Sequence, residues 1–161
     1  FTNKIDEVGL GTTAYLDGPH GNLTLKGRSG KGIALIAGGV GVAPLLSIAR
    51  QLDKESDPRP LVLRYGNRLA DQIVWEDELT RLAGKDNRDV KGVVSEPEPG
   101  WTGLKGMIDQ TTLDDVFGFE DASQWLYLVC GPPAMLDVVE NALITRGVPA
   151  SQIVSERFYY D

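Results

Sequence analysis

The chain is poor in the residues that build disulfides and metal sites. Among its 161 residues there is one cysteine, Cys130, and one histidine, His20. A single cysteine excludes an internal disulfide framework and is typical of a reducing compartment. One histidine and one cysteine do not make a conventional structural zinc site. We therefore expect no metal site and a cytoplasmic location, or the cytoplasmic side of a membrane if a longer anchored protein carries this segment there.

Long apolar runs and an excess of positive charge are also missing. The longest apolar runs are too short to span a bilayer, so we expect no membrane contact from this segment itself. The sequence has 16 lysines and arginines against 23 aspartates and glutamates, which gives a formal net charge of −7. This balance argues against a general nucleic-acid surface, although backbone amides can still form a local anion site.

The most informative segment is a glycine-rich loop between an apolar run at 33–37 and a helical pattern at 45–52. This order predicts a buried strand, a phosphate-binding turn and a helix whose N-terminus favours negative charge. A tight strand–helix turn without a ligand is the alternative. The predicted binding residues in the loop are Gly38, Gly39, Val40, Gly41, Val42, Ala43 and Pro44.

Strand and helix patterns alternate after residue 31 and predict an α/β fold. We expect a doubly wound, parallel, five-stranded Rossmann-like sheet with crossover helices on both faces. The predicted strands cover residues 33–37, 61–65, 90–94, 125–129 and 153–155. The predicted helices follow the glycine loop, begin near Asp71, cover 111–116, and run from Met135 to Leu143. The second of these helices is expected to bury Trp75, and the fourth carries Val138 on its apolar face.

Residues 1–30 differ in composition and predict a separate unit. Strand-like segments at 12–16 and 23–25 flank a turn signal at 17–22, and a glycine-rich linker follows. We therefore expect a domain boundary near residue 30, with one domain over 31–161. The chain opens without methionine directly into structured-looking sequence, so we expect it to be a piece of a longer protein.

Three loops of unusual composition are expected at one edge of the sheet. They cover residues 38–44, 66–71 and 130–135, and each follows a predicted strand. Ligands of open parallel sheets bind beyond the carboxyl ends of the strands, so we expect these loops to converge on one crevice. The last loop would bring Cys130 to the crevice edge. A small buried cysteine is an equally good interpretation of that residue.

Together these motifs resemble the nicotinamide-nucleotide domain of the ferredoxin–NADP reductase superfamily. The resemblance rests on residues 37–44, 65–68, 130–135 and 156–158, whose order and spacing match that family, and it extends over 31–161. Residues 1–26 resemble the last part of the family's antiparallel flavin-binding barrel. The resemblance therefore implies an N-terminal remnant of an FAD domain followed by a nucleotide-binding domain.

The resemblance also implies a role for each matched segment. NAD(P)H would lay its pyrophosphate on residues 39–44 and pass hydride to FAD held by another domain of the parent chain. Electrons would continue to a haem, an iron–sulfur centre or ferric iron in an acceptor domain or protein. The implied catalytic residues are Cys130, which shapes the nicotinamide pocket, and Glu156. The other implied cofactor-binding residues are Tyr65, Gly66, Asn67, Arg68, Gly131, Pro132, Pro133, Met135 and Phe158.

Two departures from the family pattern limit this expectation. Val40 stands where many members have a threonine, so one hydroxyl contact to the nucleotide is missing. The flavin-grasping segment of the Arg-x-Tyr-Ser/Thr type is absent, so the chain alone is expected to bind FAD weakly and to show little reductase activity. The alternatives are a nucleotide-binding regulatory module without electron transfer and, more distantly, a flavodoxin-like signalling domain.

The choice between NADH and NADPH depends on charges that follow the second and third predicted strands. A 2′-phosphate is typically bound by arginine or lysine, and Arg68 with Lys105 could supply that charge. Glu96 follows the third strand, where a carboxylate would repel the phosphate, so NADH is slightly favoured. For Arg68, an exposed ion pair with Asp71 is the alternative interpretation.

Two further interpretations concern residues outside the matched motifs. Trp101 either packs on the adenine or serves as a local hydrophobic anchor. The acidic pair Asp114 and Asp115 is most simply a solvated helix face.

Overall fold

The computed structural model describes residues 2–18 and 20–157. Within them, six strands form one all-parallel sheet in the spatial order β4-β3-β2-β1-β5-β6. The strands are β1 Ile33–Gly38, β2 Leu61–Asn67, β3 Arg88–Val94, β4 Leu104–Lys105, β5 Leu126–Gly131 and β6 Ile153–Arg157. The helices are α1 Val42–Lys54, α2 Glu76–Ala83, α3 Gln110–Phe117 and α4 Pro133–Thr145. Among these residues, no helix has both the length and the apolar character needed to cross a bilayer.

Two helices cover each face of the sheet, as predicted. Side chains alternate between the faces of a strand, so Leu35 in β1 packs with α1 and α2. Ile36, the next residue, packs with α3 and α4 on the other face. All six residues of β1 are buried, as expected for a central strand covered on both sides. The doubly wound α/β architecture is therefore confirmed.

The sheet has one strand more than predicted. The additional strand, β4, has only two residues and pairs in parallel with the end of β3, where Val93 is in register with Leu104. Two residues are too few to display the alternation of apolar and polar side chains that marks a strand in sequence. The prediction of five strands was wrong for this reason.

The predicted N-terminal barrel remnant is not present in the described residues. Residues 2–18 and 20–32 contain a 3₁₀ helix at Thr2–Glu7 and no strand. The strand-like side chains of Leu10, Tyr15 and Leu16 are almost fully exposed. A strand needs a neighbour for its backbone hydrogen bonds, and within 2–18 and 20–157 no strand pairs with this segment.

Helices α2 and α4 differ from their predicted faces. Helix α2 begins at Glu76, because Trp75 has a left-handed backbone with φ of +59° that ends the preceding turn. Trp75 therefore precedes the helix and is 46% exposed, which corrects the prediction that it is buried. In α4, Leu136 is buried in the core while Val138 is 45% exposed, so the predicted apolar face is rotated.

Candidate functional site

The carboxyl ends of the central strands open onto one crevice with a volume of about 570 Å³. All three predicted loops line it, through Gly38 and Gly39, through residues 66–68, and through Pro132 and Met135. Strands β2 to β4 lie on one side of β1, and β5 and β6 lie on the other. The crevice is therefore at the point of the sheet where ligands of doubly wound folds bind. The predicted convergence of the loops is confirmed.

The glycine loop leads directly into α1 and leaves its N-terminus open. Residues Gly39–Gly41 form a single 3₁₀ turn, and α1 has neither a capping side chain nor an acidic residue in its first turn. Gly39 has a φ of +52°, and a Cβ added there would meet nothing within 4 Å. The Val42 N–H already donates to the Gly39 and Val40 carbonyl oxygens and Pro44 has no N–H, so the positive end of the helix dipole is what suits this turn to an anion such as a phosphate.

The other two glycines of this loop are required for close packing. A Cβ added at Gly41 would overlap the carbonyl oxygen of Cys130, so glycine lets the loop rest on the end of β5. A Cβ added at Gly38 would lie 2.7 Å from Met135 Sδ and 2.8 Å from Pro132 Cδ. The two positions bring the loops after β1 and β5 together and thereby shape the crevice floor.

A second, smaller crevice of about 260 Å³ lies on the α1 and α2 side of the glycine loop. Its walls include Val40, Tyr65 and the exposed Trp75, and Asn67 lines both crevices. The Nδ2 atom of Asn67 is buried and has no hydrogen-bond acceptor among the described residues. A buried donor without an acceptor costs about 1–3 kcal/mol, so this amide is suited to a ligand that supplies one.

Cys130 and Glu156 are neighbours in register on β5 and β6. The Cys130 side chain is completely buried on the α1 side of the sheet and lines neither crevice. Burial and the nearby Glu156 carboxylate raise the pKa of the Cys130 thiol to about 11, so it is neutral at pH 7 and a poor nucleophile. Glu156 is half-buried, and the turn at Gly21 approaches its carboxylate. The catalytic roles assigned to both residues stay predictions.

Arg68 forms its ion pair with Glu96 rather than with Asp71. The Arg68 Nη1 atom is 3.5 Å from Glu96 Oε2, and both side chains are about 60% exposed. The Glu96 N–H also donates to the Arg68 carbonyl oxygen at 2.9 Å, which ties the ends of β2 and β3 together. Lys105 lies in β4 and is exposed. The positive charge at the mouth of the crevice is therefore paired with a carboxylate.

One wall of the crevice was not predicted from the sequence. It consists of residues 106–109, which we call the 106–109 wall, together with Ser95. Met107 is 73% exposed, whereas Ile108 is buried and approaches Gly66, whose added Cβ would lie 2.9 Å from Ile108 Cδ1. Asp109 Oδ1 accepts from the Thr111 and Thr112 amides and caps α3. An aspartate before a helical pattern is a signal that the sequence does contain, and it indicates where α3 begins. It does not indicate which strand end the 106–109 wall faces.

The remaining predicted residues are arranged as follows. Trp101 lies against Gly92 and Gly103, and its Nε1 donates to the Leu104 carbonyl oxygen at 2.9 Å, so it is a local anchor outside the crevice. Val42 and Ala43 line the smaller crevice, Pro44 is in the first turn of α1, Gly131 ends β5, and Pro133 begins α4. Phe158 lies outside the described residues.

Comparisons with known proteins agree with this geometry. A family described as "Oxidoreductase NAD-binding domain" matches residues 35–141. The chain is 30% identical to Nitrate reductase [NADPH] of Fusarium oxysporum over 96% of its length, and 30% identical to NADH-cytochrome b5 reductase 1 of Cryptococcus neoformans over 91%. The crystal structure of the Amycolatopsis cytochrome P450 reductase GcoB superposes with a TM-score of 0.76 at 26% identity, over 92% of this chain and 46% of that one.

The chain corresponds to only part of each of these relatives. It spans 19% of the Fusarium nitrate reductase and 53% of the Cryptococcus cytochrome b5 reductase. The family match covers most of the chain and includes the glycine loop, the Arg68 turn and the start of α4. The chain therefore belongs to the oxidoreductase NAD-binding domain family of the ferredoxin–NADP reductase superfamily.

Proposed function

We propose that this chain is the NAD(P)H-binding part of a flavin-dependent oxidoreductase. It would bind the nucleotide so that hydride passes to FAD carried by another domain of the same protein. The observation that carries the proposal is the N-terminus of α1. It has no capping side chain and follows shortly after Gly39, which lines the crevice. FAD would supply the step from two-electron to one-electron chemistry, for an acceptor such as a haem, an iron–sulfur centre or ferric iron.

In this proposal each end of the nucleotide has a separate set of contacts. The pyrophosphate lies over Gly39 and the N-terminus of α1, where the helix dipole favours its charge. The adenosine half lies in the larger crevice, whose lining is mostly apolar and includes Met107 and Val138. Asn67 donates its free Nδ2–H to a phosphate or ribose oxygen between the two halves.

The nicotinamide half would extend toward the ends of β5 and β6. Glu156 is a half-buried carboxylate there, and Cys130 supports the floor through its carbonyl contact with Gly41. We therefore assign Glu156 to positioning the nicotinamide, and Cys130 to shaping the site from beneath. A neutral, buried thiol is compatible with that role and is a poor nucleophile at neutral pH.

We further propose NADH rather than NADPH as the hydride donor. A free Arg68 would bind a 2′-phosphate, but its guanidinium is paired with Glu96, whose carboxylate would repel that phosphate. A ribose 2′-hydroxyl, by contrast, can donate a hydrogen bond to the same carboxylate. The names of the relatives include both NADH and NADPH, so the family does not decide between the two nucleotides. The support for NADH comes from the local charges alone.

The proposal also assigns residues 1–30 to contacts with the FAD domain, with a boundary near residue 30. Large apolar side chains are exposed in this segment, among them Ile5, Val8 and Leu10. Such exposure is typical of a surface that another part of the protein covers. The chain alone is accordingly expected to bind nucleotide and to show little reductase activity.

Two measurements test the proposal. Calorimetric titration of NADH into the 161-residue chain should show saturable binding, and absence of binding would overturn the nucleotide site. The purified parent protein should carry the visible absorbance of a flavin that NADH bleaches under anaerobic conditions. Nucleotide binding in a parent protein without flavin would favour the second candidate, a regulatory module that binds nucleotide without electron transfer.

A further inference from the structure

One charged side chain is fully buried beneath the crevice, and the proposed function leaves it without a role. Arg64 lies in the middle of β2 and has no exposed surface. It is on the α3 side of the sheet, where its neighbour two residues earlier, Val62, belongs to the apolar core. Burying a guanidinium costs several kcal/mol unless carboxylates pair with it, so its partners must be held closely.

The partners connect β2 and β3 to α3. Arg64 Nη2 is 2.5 Å from Asp89 Oδ2 on β3 and 2.5 Å from Asp115 Oδ2 on α3. Lys91 Nζ is 3.0 Å from both carboxylate oxygens of Asp115. Arg64 Nη1 donates to the carbonyl oxygens of Leu63 and Asp89, whereas its buried Nε has no acceptor among the described residues. We call the four charged residues, Arg64, Asp89, Lys91 and Asp115, the Arg64 network.

The Arg64 network corrects the interpretation of Asp114 and Asp115 as a solvated face. Asp115 is one-third exposed and faces the sheet, while Asp114 is mostly exposed and pairs with Arg146. Burial acts to raise the pKa of Asp115, but hydrogen bonds and charge from Lys91 and Arg64 outweigh it and hold that pKa below its ordinary value. Asp115 is therefore ionised at neutral pH and holds α3 against the strands.

The position of α3 determines the position of the 106–109 wall, because the wall continues into the helix without an intervening loop. The helix has eight residues, too few to be stable in isolation, so its position depends on what it packs against. Asp109 is at once its capping residue and the last residue of the 106–109 wall. A shift or tilt of α3 therefore moves the wall, including Ile108 where it contacts Gly66.

We propose that Arg64 and Asp115 are positioning residues for nucleotide binding. Their ion pair fixes the position of α3 on the sheet and therefore the position of the 106–109 wall beside the nucleotide. Neither side chain lines the crevice. The effect on the ligand rests on the proposed nucleotide site, whereas the effect on the wall does not depend on any ligand.

The test compares Asp115→Asn with Asp114→Asn in the same protein. Asp115→Asn keeps the shape of the side chain and removes its charge, and we expect it to weaken NADH binding by about tenfold, within the range seen for residues that bias a site without touching its ligand. Asp114→Asn removes a charge one residue earlier together with its pair to Arg146 at the end of α4, and because this carboxylate is mostly exposed the dissociation constant should change by less than about twofold. Asp115→Glu, which restores the carboxylate, should recover part of the affinity.

Hydrogen exchange measures the effect on the wall without any ligand, whereas the NADH affinity of the folded variant is the readout that a purely structural role would not move. Measured well below the melting temperature, Asp115→Asn should raise amide exchange in residues 106–117 by about tenfold and leave α1 unchanged. A lowered melting temperature with wild-type NADH affinity and wild-type exchange in 106–117 would overturn the proposal. If Asp115→Asn does not fold, Lys91→Met removes the more exposed contact to the same carboxylate and should give a smaller change of the same kind.

The two proposals fail separately. If the wild-type protein does not bind NADH, the proposed function is wrong, and the exchange measurement still decides whether the Arg64 network holds the wall. If the wild type binds NADH but Asp115→Asn binds it equally well, the nucleotide site stands and the positioning role is wrong.

Discussion

Arg68 and Glu96 face each other at the mouth of the crevice, with 3.5 Å between Nη1 and Oε2. Each residue follows a different strand of the sheet, β2 and β3, so the pair forms only when both strand ends are in place. Both side chains are largely exposed, and such a pair contributes less than about 1 kcal/mol to stability. The pair therefore matters for which nucleotide the crevice binds, and it contributes little to the stability of the fold.

Replacing Glu96 with glutamine should shift the preference toward NADPH. The change frees the Arg68 guanidinium and removes repulsion of a 2′-phosphate, so the NADPH dissociation constant should fall roughly fivefold, as expected for about 1 kcal/mol at an exposed site. The NADH dissociation constant should rise a fewfold, because the 2′-hydroxyl then donates to a neutral amide oxygen instead of a charged carboxylate. Calorimetry with both nucleotides at low and high salt would measure this, and the NADPH gain should shrink with salt.

Glu98→Gln is the matched control for that experiment. Glu98 is an exposed carboxylate of the same loop, two residues beyond Glu96, but the ion pair of Arg68 is with Glu96. It should leave the ratio of NADH to NADPH affinity unchanged. An equal shift from both variants would mean that the total charge of the loop, rather than the Arg68 pair, sets the preference.

A carboxylate placed in the crevice should oppose nucleotide binding. Val138 in α4 lines the crevice and is 45% exposed, so Val138→Glu adds charge with little loss of buried surface. The adenosine half would have to remove water from this unpaired carboxylate, which is unfavourable, so NADH affinity should fall by about tenfold. Ile144→Glu, at an exposed apolar position of the same helix outside the crevice, should bind NADH like the wild type. Comparable losses in the two variants would argue against this crevice as the binding site.

The Cys130 thiol should be unreactive in the folded protein. With a pKa of about 11, about one thiol in a thousand is ionised at pH 8, and the side chain has no exposed surface. Modification by a disulfide reagent should therefore be at least a hundredfold slower than in denaturant, and its rate should keep rising toward pH 11. The sequence has no other cysteine, so the signal is unambiguous. Rapid labelling at pH 8 would show that the end of β5 opens.

Acid should remove the stabilisation that Asp115 provides. Its pKa is lowered in the folded state, so the contribution is complete above the unfolded value near 4 and is lost as the pH falls below it. The groups that face this carboxylate, Arg64 and Lys91, are both basic. Wild type should therefore melt at a higher temperature than Asp115→Asn at pH 7, and the difference should disappear toward pH 2. A difference that persists at pH 2 would point to packing rather than charge.

The order of the elements could be predicted from the sequence, because each central strand is marked by an apolar run and a following glycine turn. The same patterns could not supply what depends on contacts between distant segments. Arg64 breaks the apolar run of β2 and shows only that some partner must exist. Its carboxylates are 25 and 51 residues away, and packing alone brings them together.

The site was predicted where one motif forms one loop, and was missed where tertiary packing forms the wall. The glycine loop and the Pro132 turn converge as their positions after parallel strands require. Met107 and Ile108 follow a strand of two residues, which gives no period from which to place them. Trp75 was assigned to a helix because its spacing to Leu79 is helical, but its left-handed backbone is a local feature that spacing does not reveal.

The contact between Gly41 and the Cys130 carbonyl has an evolutionary consequence. A larger residue at position 41 would overlap the main chain of β5, and a change of the side chain at position 130 would not remove that overlap. Position 41 therefore cannot vary when the protein adapts to a different nucleotide. Gly39, which meets nothing within 4 Å, and Val40, which is exposed, are free of that confinement. In proteins that evolve from this chain, substitutions that change the ligand should therefore occur at position 40 and in the 106–109 wall. Glycine should persist at position 41 in all of them that keep the fold.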